Sequence, residues 1–247
     1  IAQLNDPIEL RNALSQYGLL AGTNQLFASV QELTIGTAYP IYSPLTLNGI
    51  QVNGGYFVWT PRNLFFSATS GKTQSTIIND SLPQLSQYNK KMFGAKIGWG
   101  QYYSKHLMFS AVVFNDFPNS FENVEGTTNY PTGVKLGSLD FQLGDSREKV
   151  MELGGEIAGM LFNHNLNDTS NLASLAVKNI NLPNSLVPSL STSFDYAWNS
   201  RMIINMFNLG TRFIASSRFV GPGYTNPGTP GLRNDVRSLE GRLEQTI

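Results

Sequence analysis

Few residues of this chain have the types and spacing that chemistry requires. Ser70-Gly71-Lys72-Thr73 ends as a phosphate-binding loop ends, but the upstream glycine such a loop needs is replaced by Phe66, so the segment reads as a turn at a strand end. The two histidines, His106 and His164, lie far apart with no second histidine at i+4, and nothing local favours metal ligation. Glu152 and Glu156 suggest a glycosidase-like acid and base. On a strand they point the same way about 13 Å apart along the chain, too far for either carboxylate separation. Asn79-Asp80-Ser81 and Asn167-Asp168-Thr169 match the glycosylation acceptor pattern, which arises by chance in Asn-rich loops. With no cysteine there is no thiolate nucleophile, zinc knuckle or disulfide framework. The expectation is a protein that is not an enzyme and uses no cofactor or metal.

One constellation is regular enough to need an explanation. Lys96, Asp140, Glu152, Glu156, Asp195, Arg201, Arg212, Arg218, Glu240, Arg242 and Glu244 each stand opposite apolar residues in alternating segments. Charge facing lipid costs a few kcal/mol near a bilayer midplane, so in a membrane sheet these residues would face a lumen or protein. The two signs are mixed, which suits a packed salt-bridge interior as well as a water-filled pore.

The elements that must position them read mostly as strands. Phe93, Ala95, Ile97 and Trp99 alternate with Gly94, Lys96, Gly98 and Gly100; Leu107, Phe109, Ala111 and Val113 repeat the theme. Phe194, Tyr196, Trp198, Met202, Ile204 and Met206 take one side of a segment of unusual length, and Phe213, Ala215 and Phe219 one side of the next. Glu148 to Leu161 also fits a helix, but Gly154-Gly155 in its middle favours a strand. Only the start reads as helix: Asp6 caps, Pro7 suits the first turn, and Leu10, Ala13, Leu14 and Tyr17 share a face before Gly18. This divides the chain into a lead-in with a short helix, 1–27, and a strand region, 28–247.

Strands are expected at about 30–38, 54–60, 64–70, 92–100, 106–115, 134–143, 149–161, 191–206, 211–220 and 237–247. Their connections alternate long and short, as in a transmembrane barrel with tight turns at one end and long loops at the other. Trp59 and Trp99 precede tight turns, where an interfacial aromatic girdle would sit. Asn48-Gly49 is the strongest local hairpin signal and reads as a tight turn within an outer loop. No apolar run is long enough for a membrane-spanning helix.

Composition agrees with a surface that is not all wet. Only 14% of residues are charged, against about 25% in soluble domains. Lys+Arg and Asp+Glu balance at 17 each, which gives no electrostatic reason to expect nucleic acid.

Tyr39-Pro40-Ile41-Tyr42-Ser43-Pro44-Leu45-Thr46-Leu47-Asn48-Gly49-Ile50 and Phe219-Val220-Gly221-Pro222-Gly223-Tyr224, followed by Leu232-Arg233-Asn234-Asp235, resemble segments of large outer-membrane barrel proteins of Bacteroidota. Trp59-Thr60-Pro61 through Ser70-Gly71-Lys72-Thr73-Gln74 looks like their recurring hairpin. The resemblance implies a place in the bacterial outer membrane and carries over no catalytic residues. Such barrels commonly end on an aromatic residue, whereas this chain ends Gln245-Thr246-Ile247 and begins with Ile1, as a piece of something longer would.

The expected fold is therefore an all-β, antiparallel up-and-down transmembrane barrel of about ten strands, complete or part of a larger barrel. The expected role is a passive pore or a barrel subunit of a larger outer-membrane assembly, with lipid bilayer or lipopolysaccharide and other envelope proteins as partners. Outer loops at Asn115 to Tyr130 and Gly221 to Pro230 are candidates for binding a glycan or a protein. The competing reading is a soluble secreted β-sandwich that binds carbohydrate through Trp59, Trp99 and Trp198. It requires the apolar faces to bury against each other.

Overall fold

The computed structural model describes residues 28–75, 77, 87–100, 105–120, 129–144, 150–168, 170, 189–207 and 210–245. The expected N-terminal helix lies outside the described residues.

Among the described residues twelve strands are seen: β1 (Val30–Ala38), β2 (Ile41–Ser43), β3 (Leu47–Asn48), β4 (Val52–Trp59), β5 (Leu64–Gln74), β6 (Lys90–Gly100), β7 (His106–Asp116), β8 (Gly133–Leu143), β9 (Met151–Asn163), β10 (Thr192–Met206), β11 (Thr211–Val220) and β12 (Val236–Gln245). Ten of them form one antiparallel sheet in the order β1-β4-β5-β6-β7-β8-β9-β10-β11-β12, and β2 and β3 make a separate pair. The sheet is an open meander, with β1 and β12 as its edges.

Period-2 alternation selects these strands, and register turns it into two faces of opposite character. One row of cross-strand partners runs Val30, Trp59, Phe66, Ile97, Phe109, Leu139, Ile157, Trp198, Phe219 and ends at Arg237 on β12. It crosses the whole sheet on the outward face, and Ile97, Phe109 and Ile157 are 57%, 53% and 59% exposed. The neighbouring row faces inward: Val58, Ser67, Lys96, Ser110, Ser138, Ala158, Ala197, Val220 and Val236. Along these two rows bulk lies outside and small or polar groups inside, while toward the long loops the inward face also carries the buried Met92, Phe114, Leu136 and Met160.

Aromatic residues mark both ends of the outward face. Trp59, Phe66, Trp99 and Phe141 lie toward the short turns; Phe93, Phe194 and Tyr196 lie toward the long loops. The Tyr196 ring packs on Phe219 with centroids 5.0 Å apart, and Arg237 lies 5.3 Å from the Phe219 ring.

Short connections at 60–63, 101–105, 144–150 and 207–210 lie at one end, and long ones at 39–51, 75–89, 117–132, 164–191 and 221–235 at the other. The turn at 60–63 closes through Leu64 N–H to the Pro61 carbonyl, 3.0 Å, with Arg62 at φ 55.

Three local readings need correction. Ser70-Gly71-Lys72-Thr73 is the interior of β5, not a turn, because Gly71 lies directly opposite Gly54 and two glycines let the backbones approach. A Cβ on Gly54 would fall 2.0 Å from the Ser70 carbonyl oxygen. Asn48-Gly49 bends the chain, with Gly49 at φ 70, but it does not pair the segments on either side. Ser43 pairs with Leu47 instead, so the hairpin closes at residues 44–46. Finally, Gly221 to Pro230 does not project freely outward, although Pro222, Gly223, Thr225 and Pro230 stay exposed. Tyr224 is fully buried and Asn226 nearly so, because the loop folds onto the inward face.

Candidate functional site

The inward face is filled from its two edges. The 39–51 loop, carrying β2 and β3, joins β1 to β4 at one edge; the 221–235 loop joins β11 to β12 at the other. They meet over the sheet. The Tyr224 hydroxyl donates to the Leu45 carbonyl at 2.8 Å, and the Asn226 amide donates to the carbonyls of Leu45 and Thr46 at 2.7 and 2.8 Å. Asn48 N–H bonds the Gly228 carbonyl at 3.0 Å, and Asn226 Oδ1 accepts from Gly228 N–H at 2.7 Å.

Tyr42, Leu45, Leu47 and Tyr224 are fully buried in this contact. Burying a side chain of this size stabilises by about 1.5–3 kcal/mol, so the loops are a packed layer on the sheet. The sheet accommodates them because its inward row is small: Ser67, Ser110, Ser138, Ala158 and Ala197 leave the space that Tyr42, Leu45 and Tyr224 occupy. Gly94 is in close contact with the Tyr42 ring, where a Cβ would lie 3.0 Å from Cε2. Burial pushes the Tyr42 and Tyr224 phenols well above the usual tyrosine range, so both are neutral hydroxyls at physiological pH.

Two charged side chains hold the loop from below. Glu156, 2% exposed, accepts from the Ser43 hydroxyl and, through Oε2, from Leu45 N–H at 3.2 Å. Lys96, 0% exposed, donates from Nζ to the Tyr42 carbonyl. Asp140 completes the group, 3.7 Å from Lys96 Nζ and 3.3 Å from His106 Nε2. A buried carboxylate and a buried ammonium in one cluster reduce each other's desolvation cost, and each also satisfies loop backbone.

All eleven charged residues expected to face inward share one face of the sheet by register. They do not form one site. Lys96, Asp140 and Glu156 converge beneath the loops, while Asp195 takes Gly223 N–H at 2.6 Å and so ties down the start of the 221–235 loop. Glu152 accepts from the Gln142 amide at 3.2 Å. Near the β12 edge, Glu244 lies 3.6 Å from Arg212 and 3.0 Å from Arg242. Arg201, Arg218 and Glu240 stand apart from this cluster, with Arg201 and Arg218 on the exposed part of the face.

Sequence reasoning missed the residues that complete the site: Tyr42, Ser43, Leu45, Tyr224 and Asn226. A signal was present, since the two segments that carried the family resemblance are the two that meet here. Beside the β2 strand, toward the β1 edge, lies an open cavity of about 370 Å³ lined by Glu32, Tyr39, Tyr56 and Phe65.

This arrangement binds and positions backbone. Comparison with protein-family models, with curated proteins and with solved structures finds no match for this chain.

Proposed function

We propose that this chain is the wall of an outer-membrane β-barrel, acting as a barrel subunit of a larger outer-membrane assembly, with its inward face plugged by its own loops. The observation that carries the reading is the outward row from Val30 to Phe219, nine apolar residues wide and exposed at its centre. Among the described residues no second layer covers it, and the small β2–β3 pair packs on the opposite face. A soluble monomer rarely leaves so large a patch in water. A bilayer is the solvent that favours it, and the aromatic bands at both ends of the outward face fit the two interfaces.

The edges support a place within a larger wall. Leu33 and Ile35 on β1 and Leu239 and Leu243 on β12 are 67%, 86%, 84% and 65% exposed, yet both strands keep polar residues inward. Lipid tolerates no unpaired strand backbone, so in a bilayer these edges must join each other or further strands. The sandwich reading loses support because Trp99 projects from an uncovered sheet face, one aromatic among many apolar neighbours. Free passage along the inward face loses support because two loops occupy it.

The test is partition. Expressed with an export signal, the chain should fractionate with the outer membrane, require detergent, and migrate faster on gels before boiling than after. A chain that stays soluble and monomeric in buffer without detergent overturns the proposal.

A further inference from the structure

We propose that the 39–51 and 221–235 loops form a displaceable plug, seated on the inward face by Glu156 and Lys96 and able to leave it without opening the ten-stranded sheet. This deepens the barrel reading by adding regulation of the same inward face.

The plug shares no ladder with the wall. The β2–β3 pair is a sheet of its own, and apart from Gly221 N–H to the Tyr196 carbonyl at 3.1 Å, which sits at the hinge where the second loop leaves β11, the bonds that hold the plug to the wall run from side chains: Glu156 to Ser43 and Leu45, Lys96 to Tyr42, Asp195 to Gly223. Lifting it breaks these bonds and leaves strand pairing intact. The chain also bends where each loop returns to the wall: Gly49 has φ 70 and Asp235 φ 53, shortly before β4 and β12.

The chemistry of the seat favours release. A permanent cover needs only apolar packing, but this seat buries an ammonium and a carboxylate, which water solvates far better than protein does. Displacement returns both to water and offsets part of the lost packing. The seated state is therefore held by specific bonds that a few substitutions can weaken.

The chain has no cysteine, so one introduced thiol reports on the plug alone. Leu45→Cys, at a fully buried position, is placed in the folded chain in detergent, or in buffer should it prove soluble, and its reaction with a maleimide is timed against Asn63→Cys in the exposed short turn 60–63. The expected result is slow labelling at Leu45→Cys, accelerated about tenfold or more when Glu156→Gln or the pair Ser43→Ala and Tyr224→Phe is added, the loss expected for hydrogen bonds of this kind. Strand content by circular dichroism should stay unchanged.

Labelling of Leu45→Cys as fast as Asn63→Cys, no acceleration in the weakened variants, or acceleration only with loss of strand signal each overturns the proposal. If Glu156→Gln fails to fold, the hydroxyl-deleted pair decides alone, since it leaves the charges in place. The readout is independent of lipid, so failure here leaves the barrel proposal standing, and failure of partition leaves this one standing.

Discussion

Ile157→Arg tests the solvent of the outward face most directly. Ile157 is the central residue of β9, which runs Met151–Asn163, and it is 59% exposed between Leu139 and Trp198. Six residues on either side, at about 3.3 Å each, make about 20 Å of strand, or about 15 Å of depth at a tilt near 40°. That is half the thickness of a bilayer's hydrocarbon, so the residue falls at the midplane. A guanidinium there costs about 2–4 kcal/mol, one and a half to three orders of magnitude in the folding equilibrium. In water the same exposed substitution should change stability by less than about 0.5 kcal/mol. The assay is reversible denaturant unfolding of the chain folded into phospholipid vesicles, followed by tryptophan fluorescence. A single depth control suffices, Trp99→Arg near the short-turn end, where arginine should cost about 0–1 kcal/mol. Equal costs at both depths, or no cost at Ile157, would refute the idea that hydrocarbon wets this face.

Other consequences follow from the same geometry. Gly54→Ala should destabilise by about 1–3 kcal/mol, because its Cβ would fall on the Ser70 carbonyl and Gly71 Cα, whereas Gly137→Ala, with open space at its Cβ, should be near neutral in the same unfolding assay. Asn226→Ala leaves the Thr46 carbonyl without its 2.8 Å donor and should cost about 1–3 kcal/mol, read as a lowered midpoint with no change in slope. Alkali should loosen the plug: Tyr42 and Tyr224 have folded pKa values raised by burial, so the stability they contribute is complete below about pH 10, where free tyrosine titrates, and falls as pH rises above it. Tyrosinate absorbance should then appear in two stages, the second together with faster labelling of Leu45→Cys; a single stage with labelling unchanged would contradict the burial.

The strands and their faces were legible because period-2 alternation is a local property. Ile97 and Lys96, or Ile157 and Glu156, differ in polarity with no help from elsewhere in the chain, and the lengths of the connections follow from the strand limits. What lies over the inward face was not legible. Ser43 reaches Glu156 across more than a hundred residues, and Tyr224 reaches Leu45 across still more. No spacing rule encodes such a meeting. Gly221 to Pro230 looked like an outer loop because its composition is that of one; only the meeting with the 39–51 loop over the inward face, where the Tyr224 hydroxyl bonds the Leu45 carbonyl, turns Tyr224 inward.

The amino-acid sequence by itself determined an antiparallel meander with one greasy face and one small or charged face, since each strand carries that contrast in adjacent residues. Tertiary structure alone decided which three of the inward charges act together and what they hold. Lys96, Asp140 and Glu156 are neighbours only through register across four strands, and the backbone they grip arrives from a loop at the sheet edge.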